Sequence, residues 1–197
     1  AAMAPSPPAE GPEAGVAWQA HRRALQALTA WTVSGRVAVS TPEEGWQASL
    51  RWRQRGGAYD IFIRGPFGRG SVRLARDATG ARLRTSEGDV YSAPDGQALL
   101  ARAVGWELPV EGLRYWVRGL PWPRRPGHYR LDADGRLRAL AQAGWRVRFE
   151  RYTEVDGLAL PAKLHLTREG LEVRLVLDRW HPRAAAVPHR ARRLALE

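Results

Sequence analysis

From Trp31 onward, apolar residues recur at every second position. In "WQASLRWRQ", Trp46, Ala48, Leu50 and Trp52 fall on one face of a strand, and Gln47, Ser49, Arg51 and Arg53 on the other. "YDIFIR" repeats the pattern with Tyr59, Ile61 and Ile63, although Phe62 interrupts its polar face. Val72 and Leu74 continue it in "SVRLAR", and Leu83 in "ARLRT". Turn chemistry separates these runs at Thr41-Pro42, Gly56-Gly57, Gly65-Pro66, Ala78-Thr79-Gly80 and Gly88-Asp89. Strands resume at "HYRLDADGRLRAL", where Asp134-Gly135 is a strong hairpin signal. "GWRVRFERY", "LALPAKLHLT" and "LEVRLVLDRW" follow. The last two are expected to alternate through Leu160, Ala162, Leu164 and Leu166, then through Leu171, Val173, Leu175 and Leu177. About eleven short, evenly punctuated strands predict an antiparallel meander.

Two regions change period. "GVAWQAHRRALQALTAW" carries Ala17, Ala20, Ala24, Leu25 and Leu28 at three- and four-residue spacing, which predicts an amphipathic helix over roughly 14–30. In mid-chain, Leu99, Leu100, Ala103 and Val104 share one helical face, with Gly105 placed as a C-terminal cap. Val110, Leu113, Trp116 and Val117 share another, with Gly119 after it. "LPWPRRPG" then holds three prolines in eight residues, an extended linker. The fold class predicted is mainly β. It is an unclosed antiparallel β-barrel of about eleven strands with a helical lid and an N-terminal amphipathic helix. The apolar face is expected to be concave, and a barrel of that strand count has room for a ligand as well as side chains.

Composition places this pattern in one globular domain. The chain has 197 residues and is 44% hydrophobic, enough to bury a core. Its ends differ: 1–14 is Ala/Pro/Gly-rich and reads as a flexible tether, 15–181 as the barrel, and 182–197 as an Arg/Ala-rich tail. The formal net charge is +11, carried by 30 arginines and one lysine, Lys163. Such charge suits anionic surfaces. The arginines alternate along strands instead of forming a block, and no nucleic-acid recognition signature is present, so nucleic acid is not expected as a partner.

Catalytic chemistry is not legible. With no cysteine there is no thiolate nucleophile, disulfide or Cys-based metal site. The five histidines are scattered without metal-ligand spacing, and neither Gly-x-Ser-x-Gly nor His-Glu-x-x-His occurs. Asp132-x-Asp134-Gly135 lacks the further ligands of a calcium loop and reads as a hairpin turn. Lys163 lies in a strand, not in a phosphate-binding loop. No enzyme, cofactor or metal is expected.

The segments "GWELPVEGLRYWVRGLP", "LDADGRL", "QAGWRVRFERY", "LPAKLHLT" and "VRLVLDRW" together resemble the LolB family over roughly Trp18–Trp180. The resemblance implies a lidded half-barrel that receives lipoproteins from the periplasmic carrier LolA and incorporates them into the outer membrane. It implies acyl chains as ligand, a LolA-type carrier and the inner leaflet of the outer membrane as partners, and the periplasmic face as location. Nothing calls for an oligomer, and a monomer is expected. Family members are lipidated on an N-terminal cysteine that this chain lacks, so it is expected that either the anchor has been removed or this is a soluble form. The rival readings are a LolA-like carrier and a general lipid-binding barrel. On the main reading, Trp46, Leu50, Trp52, Ile61, Ile63 and Leu74 line the acyl-chain cavity, and Leu99, Leu100, Leu113, Trp116 and Val117 belong to the lid. Gly65-Pro66-Phe67-Gly68 fits a four-residue turn with Pro preset at its second position. That places Phe67 at a hairpin tip, and the resemblance implies that this loop touches the membrane.

Overall fold

The computed structural model describes residues 12–65, 70–105 and 107–183. The expected tether through residue 11 and the tail from residue 184 lie outside the described residues, as do Pro66, Phe67 and Gly68 of the expected membrane loop. Helix α1 (Pro12–Ala27) leads into strands β1 (Ala30–Ser40), β2 (Gly45–Arg55), β3 (Ala58–Arg64), β4 (Ser71–Asp77), β5 (Gly80–Thr85) and β6 (Val90–Ala93). Helices α2 (Gly96–Val104) and α3 (Val110–Trp116) follow. Then come β7 (Gly127–Leu131), β8 (Leu137–Gln142), β9 (Trp145–Val155), β10 (Leu158–Arg168) and β11 (Leu171–Arg183).

The eleven strands form one antiparallel sheet in the order β6-β5-β4-β3-β2-β1-β11-β10-β9-β8-β7. Each strand pairs with its sequence neighbour except at one place, where β11 returns beside β1. The free edges are therefore β6 and β7, consecutive strands separated by the two lid helices. The sheet is unclosed and mainly β, as the period-two pattern predicts.

One face of the sheet carries the core. In β2 every second residue from Ala48 to Gln54 is buried, while Gln47, Ser49, Arg51, Arg53 and Arg55 are exposed. Trp31, Trp52 and Trp180 meet at one end of the inner face. The Trp31 ring centre lies 5.3 Å from each of the other two. Two of their polar ends are satisfied locally: Trp52 Nε1 donates to Gln54 Oε1 at 2.9 Å, and Trp180 Nε1 to the Pro161 carbonyl at 2.9 Å. Where β1 meets β11 the register shifts between Ser34 and Gly35. There the backbones approach so closely that a Cβ on residue 35 would sit 1.8 Å from the Val176 carbonyl oxygen.

Two sequence expectations fail in detail. The buried face of α1 is Ala14, Trp18 and Leu25, continued by Leu28 beyond the helix, whereas Ala20 and Ala24 are exposed. Alanine is cheap to leave in water, so the large Trp18 sets the rotation of the helix. In β10 the expected alternation breaks at a bulge between Pro161 and Leu164, so Leu160 and Pro161 are both buried. Proline cannot donate to the ladder, and a bulge is where a sheet tolerates it.

The β7–β8 hairpin is built on Asp132. Its fully buried carboxylate accepts from the backbone N–H groups of Asp134 (3.0 Å) and Arg136 (2.9 Å) and from Arg136 Nε (2.8 Å). The left-handed Gly135 (φ 72°) lets the turn press on α1, where a Cβ would lie 2.6 Å from the Trp18 nitrogen. His21 packs beside this pair, and burial first, then the Arg136 charge, holds its pKa below the ordinary 6.5.

Gly35→Ala is expected to destabilise the fold by about 1–3 kcal/mol in urea unfolding. Gly15→Ala, in α1 with open space at its Cβ, should be neutral or slightly stabilising. Because the unfolded chain takes up the His21 proton first, stability should fall as pH drops below about 6.5, and His21→Gln should flatten that slope.

Candidate functional site

The six residues predicted to face inward do so together. Leu50, Trp52, Ile61 and Leu74 are buried in one apolar cluster, with Trp46 and Ile63 half-buried against it. The five lid residues Leu99, Leu100, Leu113, Trp116 and Val117 belong to the same cluster. Sheet and lid thus share one apolar interior.

That interior has a closed end and a less covered one. Trp31 at the start of β1, Tyr59 near the start of β3 and Trp180 near the end of β11 lie at the closed end, each at most 5% exposed. At the other end, Trp46 opens β2, Ile63 closes β3, and Val72 and Leu171 lie at the starts of β4 and β11. All four are only partly buried. Apolar side chains left half in water at one end of a sheet are where an apolar ligand gains contact area.

The two lid helices are held very differently. Helix α3 is pinned at both sides. Glu111 pairs with Arg76 of β4, and Arg114 reaches the Gly56 carbonyl at 3.3 Å. On the far side Trp116 Nε1 donates to Gln142 Oε1 at 3.0 Å. Gln142 also accepts from the Trp122 backbone N–H (2.8 Å) and donates to the carbonyls of Trp122 and Arg125 (both 2.9 Å). One buried amide on β8 thereby holds both the lid and the proline-rich linker. Just past α3, Arg118 donates to the carbonyls of Leu25 (3.2 Å) and Leu28 (2.7 Å), at and just beyond the C-terminal end of α1. Burial lowers its pKa to about 10, so it remains charged at neutral pH.

Helix α2 is seated more simply. Asp95 caps it by accepting from the Gln97 and Ala98 backbone N–H groups, and the left-handed Gly105 ends it. Gly96 lets the first turn lie on Tyr59, since a Cβ there would be 2.1 Å from the phenol oxygen. Burial, then Glu111, pushes the Tyr59 pKa up to about 12. Beyond these, Arg102 stacks 4.8 Å from the Tyr91 ring centre. Among the described residues, no side chain of α2 makes a hydrogen bond or ion pair to the sheet. Apart from that stacking, its side chains attach by apolar packing on β4, β5 and β6.

Sequence reading did not find Gln142, Arg118 or Trp18. Gln142 lies in the "QAGW" segment already noted for resemblance, and its signal was a lone amide between apolar positions of a strand. Arg118 had no signal separating it from the other arginines.

The family profile described as "Outer membrane lipoprotein LolB" matches residues 29–180. The chain is 40% identical over 166 residues to the outer-membrane lipoprotein LolB of Pseudomonas paraeruginosa (strain PA7). The match covers 84% of this chain and 81% of that protein. With the protein of the same name from Pseudomonas putida (strain GB-1) the identity is 41%, with the same coverage.

The chain belongs to the LolB family.

The LolB family is a non-enzymatic lipoprotein-localisation factor, in line with the catalytic silence of the sequence. In this LolB-type chain the residues that carry the family resemblance are structural fasteners: Gln142 for the lid, Asp132 for the hairpin, and Pro161 for the Trp180 indole. Among solved structures, a LolA superfamily protein from Nitrosomonas europaea superposes with a TM-score of 0.55 at 7% identity, covering 88% of this chain and 94% of that one. A putative outer membrane lipoprotein-sorting protein domain from Vibrio parahaemolyticus gives 0.53 at 9% identity, covering 88% and 93%. These two likenesses concern the fold alone.

Gln142→Ala should cost about 1–3 kcal/mol, because the Trp116 indole N–H would be left buried without its partner. Hydrogen exchange should show faster opening at Trp116–Leu120, with the β1–β11 ladder unchanged.

Proposed function

We propose that this protein takes lipoproteins from a LolA-type carrier, holds their acyl chains against its apolar interior, and passes them to the inner leaflet of the outer membrane. On this reading it works on the periplasmic face, as a lipid-anchored protein. The observation that carries the proposal is the unequal attachment of the lid. An apolar interior shared by the sheet and two helices is covered at one end by α3, which is pinned by buried polar bonds. Over β4–β6 it is covered by α2, which rests on apolar packing and the Arg102–Tyr91 stacking, with no side-chain hydrogen bond or ion pair to the sheet among the described residues. A helix held by apolar contact can be displaced by an apolar ligand that replaces those contacts, without leaving buried polar groups unpaired.

Each methylene leaving water gains roughly 0.8 kcal/mol, so one long acyl chain gains on the order of 10 kcal/mol. The interior must recover most of that and still release the chain. No nucleotide-binding device occurs in the sequence, so transfer runs from weaker to stronger acyl binding: carrier, this protein, bilayer. Displacing α2 costs apolar contacts and offsets part of the gain from ligand burial. The offset keeps the protein's affinity below that of the membrane. Trp46, Leu50, Trp52, Ile61, Ile63 and Leu74, with Leu99, Leu100 and Leu113 opposite, form the acyl-chain surface. Phe67, with Gly65, Pro66 and Gly68, forms the loop that touches the bilayer. A phenylalanine entering the acyl boundary gains roughly 1.5–3 kcal/mol, enough for a contact but not for anchoring.

The test is uptake from a LolA–lipoprotein complex followed by delivery to liposomes. Failure of the unmodified protein at the first step would sink the proposal. Ile63→Glu, at the less covered end, should leave the thermal transition in place and abolish uptake. Leu74→Glu, at 1% exposure, should unfold the protein instead. Phe67→Glu should take up lipoprotein normally and fail to deliver it.

A further inference from the structure

The outward face of β2–β5 carries a charge pattern that acyl-chain binding does not use. Seven arginines point outward from these four strands: Arg51, Arg53, Arg55, Arg64, Arg73, Arg82 and Arg84. The same strands hold two carboxylates, Asp60 and Asp77. Both are engaged. Asp60 accepts from Arg73 Nε at 3.1 Å, and Asp77 accepts from the Thr79 backbone N–H at 2.8 Å. Among the described residues, the other six arginines make no ion pair.

The opposite half of the sheet is also basic, but part of its outward charge is neutralised in place, while Arg146, Arg151 and Arg179 make no ion pair among the described residues. Arg148 and Lys163 both meet Glu150, at 3.5 and 2.9 Å. His165 and Arg174 both meet Glu172, each at 3.3 Å. Four carboxylates, Glu150, Glu154, Glu172 and Asp178, stand on β9 and β11, against two, Asp60 and Asp77, on β2–β5.

The register adds an order to this face. Arg51, Phe62, Arg73 and Arg84 are direct cross-strand partners on β2, β3, β4 and β5. At about 4.8 Å between strands, the row is roughly 14 Å long. Phe62 sits inside it, 37% exposed, on a face that is otherwise polar. Arg51, Arg53, Asp60, Phe62 and Arg73 line a shallow hollow of about 250 Å³. Guanidinium groups bind phosphate oxygens in pairs, and an aromatic ring among cations suits the headgroup layer of a membrane.

We propose that the outward face of β2–β5 is a docking surface for an anionic phospholipid bilayer, with headgroup phosphates between the arginines and Phe62 dipping below them. Arginines repeated along an open sheet face match a plane of repeated headgroups. It offers little shape to single out one folded partner. This contact is separate from acyl-chain uptake and operates on the empty protein.

The experiment measures binding of the empty 197-residue protein to phosphatidylethanolamine vesicles with and without phosphatidylglycerol, by sedimentation. Binding is expected only with phosphatidylglycerol, and it should weaken as salt rises. Replacing Arg51 and Arg84 together by Gln removes two charges at about fivefold each, so affinity should drop about 25-fold. Replacing Arg146 and Arg174 by Gln removes the same net charge from the other half and should change affinity little. Phe62→Ser should abolish whatever binding survives high salt. The residues replaced are exposed, and far-ultraviolet circular dichroism of each variant checks the fold. Equal losses from the two arginine pairs would reduce the effect to net charge and overturn the proposal. So would equal binding to neutral vesicles, or binding to an acidic polypeptide such as polyglutamate without binding to vesicles.

Discussion

Everything in this structure follows from the pairing of β1 with β11. That contact joins the first and last strands of the sheet in its middle and leaves β6 and β7 as the free edges. Because those two strands are consecutive in the chain, whatever connects them must cross the gap between the edges. The chain uses that obligatory crossing for α2, α3 and the proline-rich linker. The lid is therefore the connection that the topology demands, made amphipathic so that it also covers the apolar face. The closeness of the β1–β11 pairing, with glycine required at position 35, shows how little freedom this junction has.

The fold was largely legible because a half-buried antiparallel strand announces itself by alternation. β2 follows that rule without exception from Ala48 onward, and the eleven strands emerge from turn residues at regular intervals. Legibility failed where local pattern was not the deciding force. Ala20 and Ala24 looked like a helix face, but Trp18 had far more apolar surface to bury and turned α1 accordingly. Leu160, Leu164 and Leu166 are buried as the alternation expects, but the bulge after Pro161 buries Pro161 as well and leaves Ala162 half-buried. Gln142 and Arg118 act over 17–26 and 90–93 residues of sequence respectively, and no window along the chain reveals such partners. The inward positions of the candidate site could be read from period two. The difference in attachment between α2 and α3 could not, because it rests on those long-range bonds.

That difference gives the lid a division of labour. Burying an amide with four partners, or a guanidinium against two helix-terminal carbonyls, makes displacement of α3 expensive, since every bond lost leaves a polar group in an apolar setting. Apolar packing carries no such penalty and can be exchanged for packing against something else. A protein that must enclose a greasy ligand and then let it go is served by having one helix of each kind.

The sheet that opens also has two unfinished margins. Its edge strands are the shortest of the eleven, four residues in β6 and five in β7, against thirteen in β11. An incomplete barrel displays rows of unpaired backbone donors and acceptors that another copy could zip onto, the first step towards a fibre. Cutting those rows to one or two ladder rungs lets the barrel stay incomplete without inviting growth from its rims.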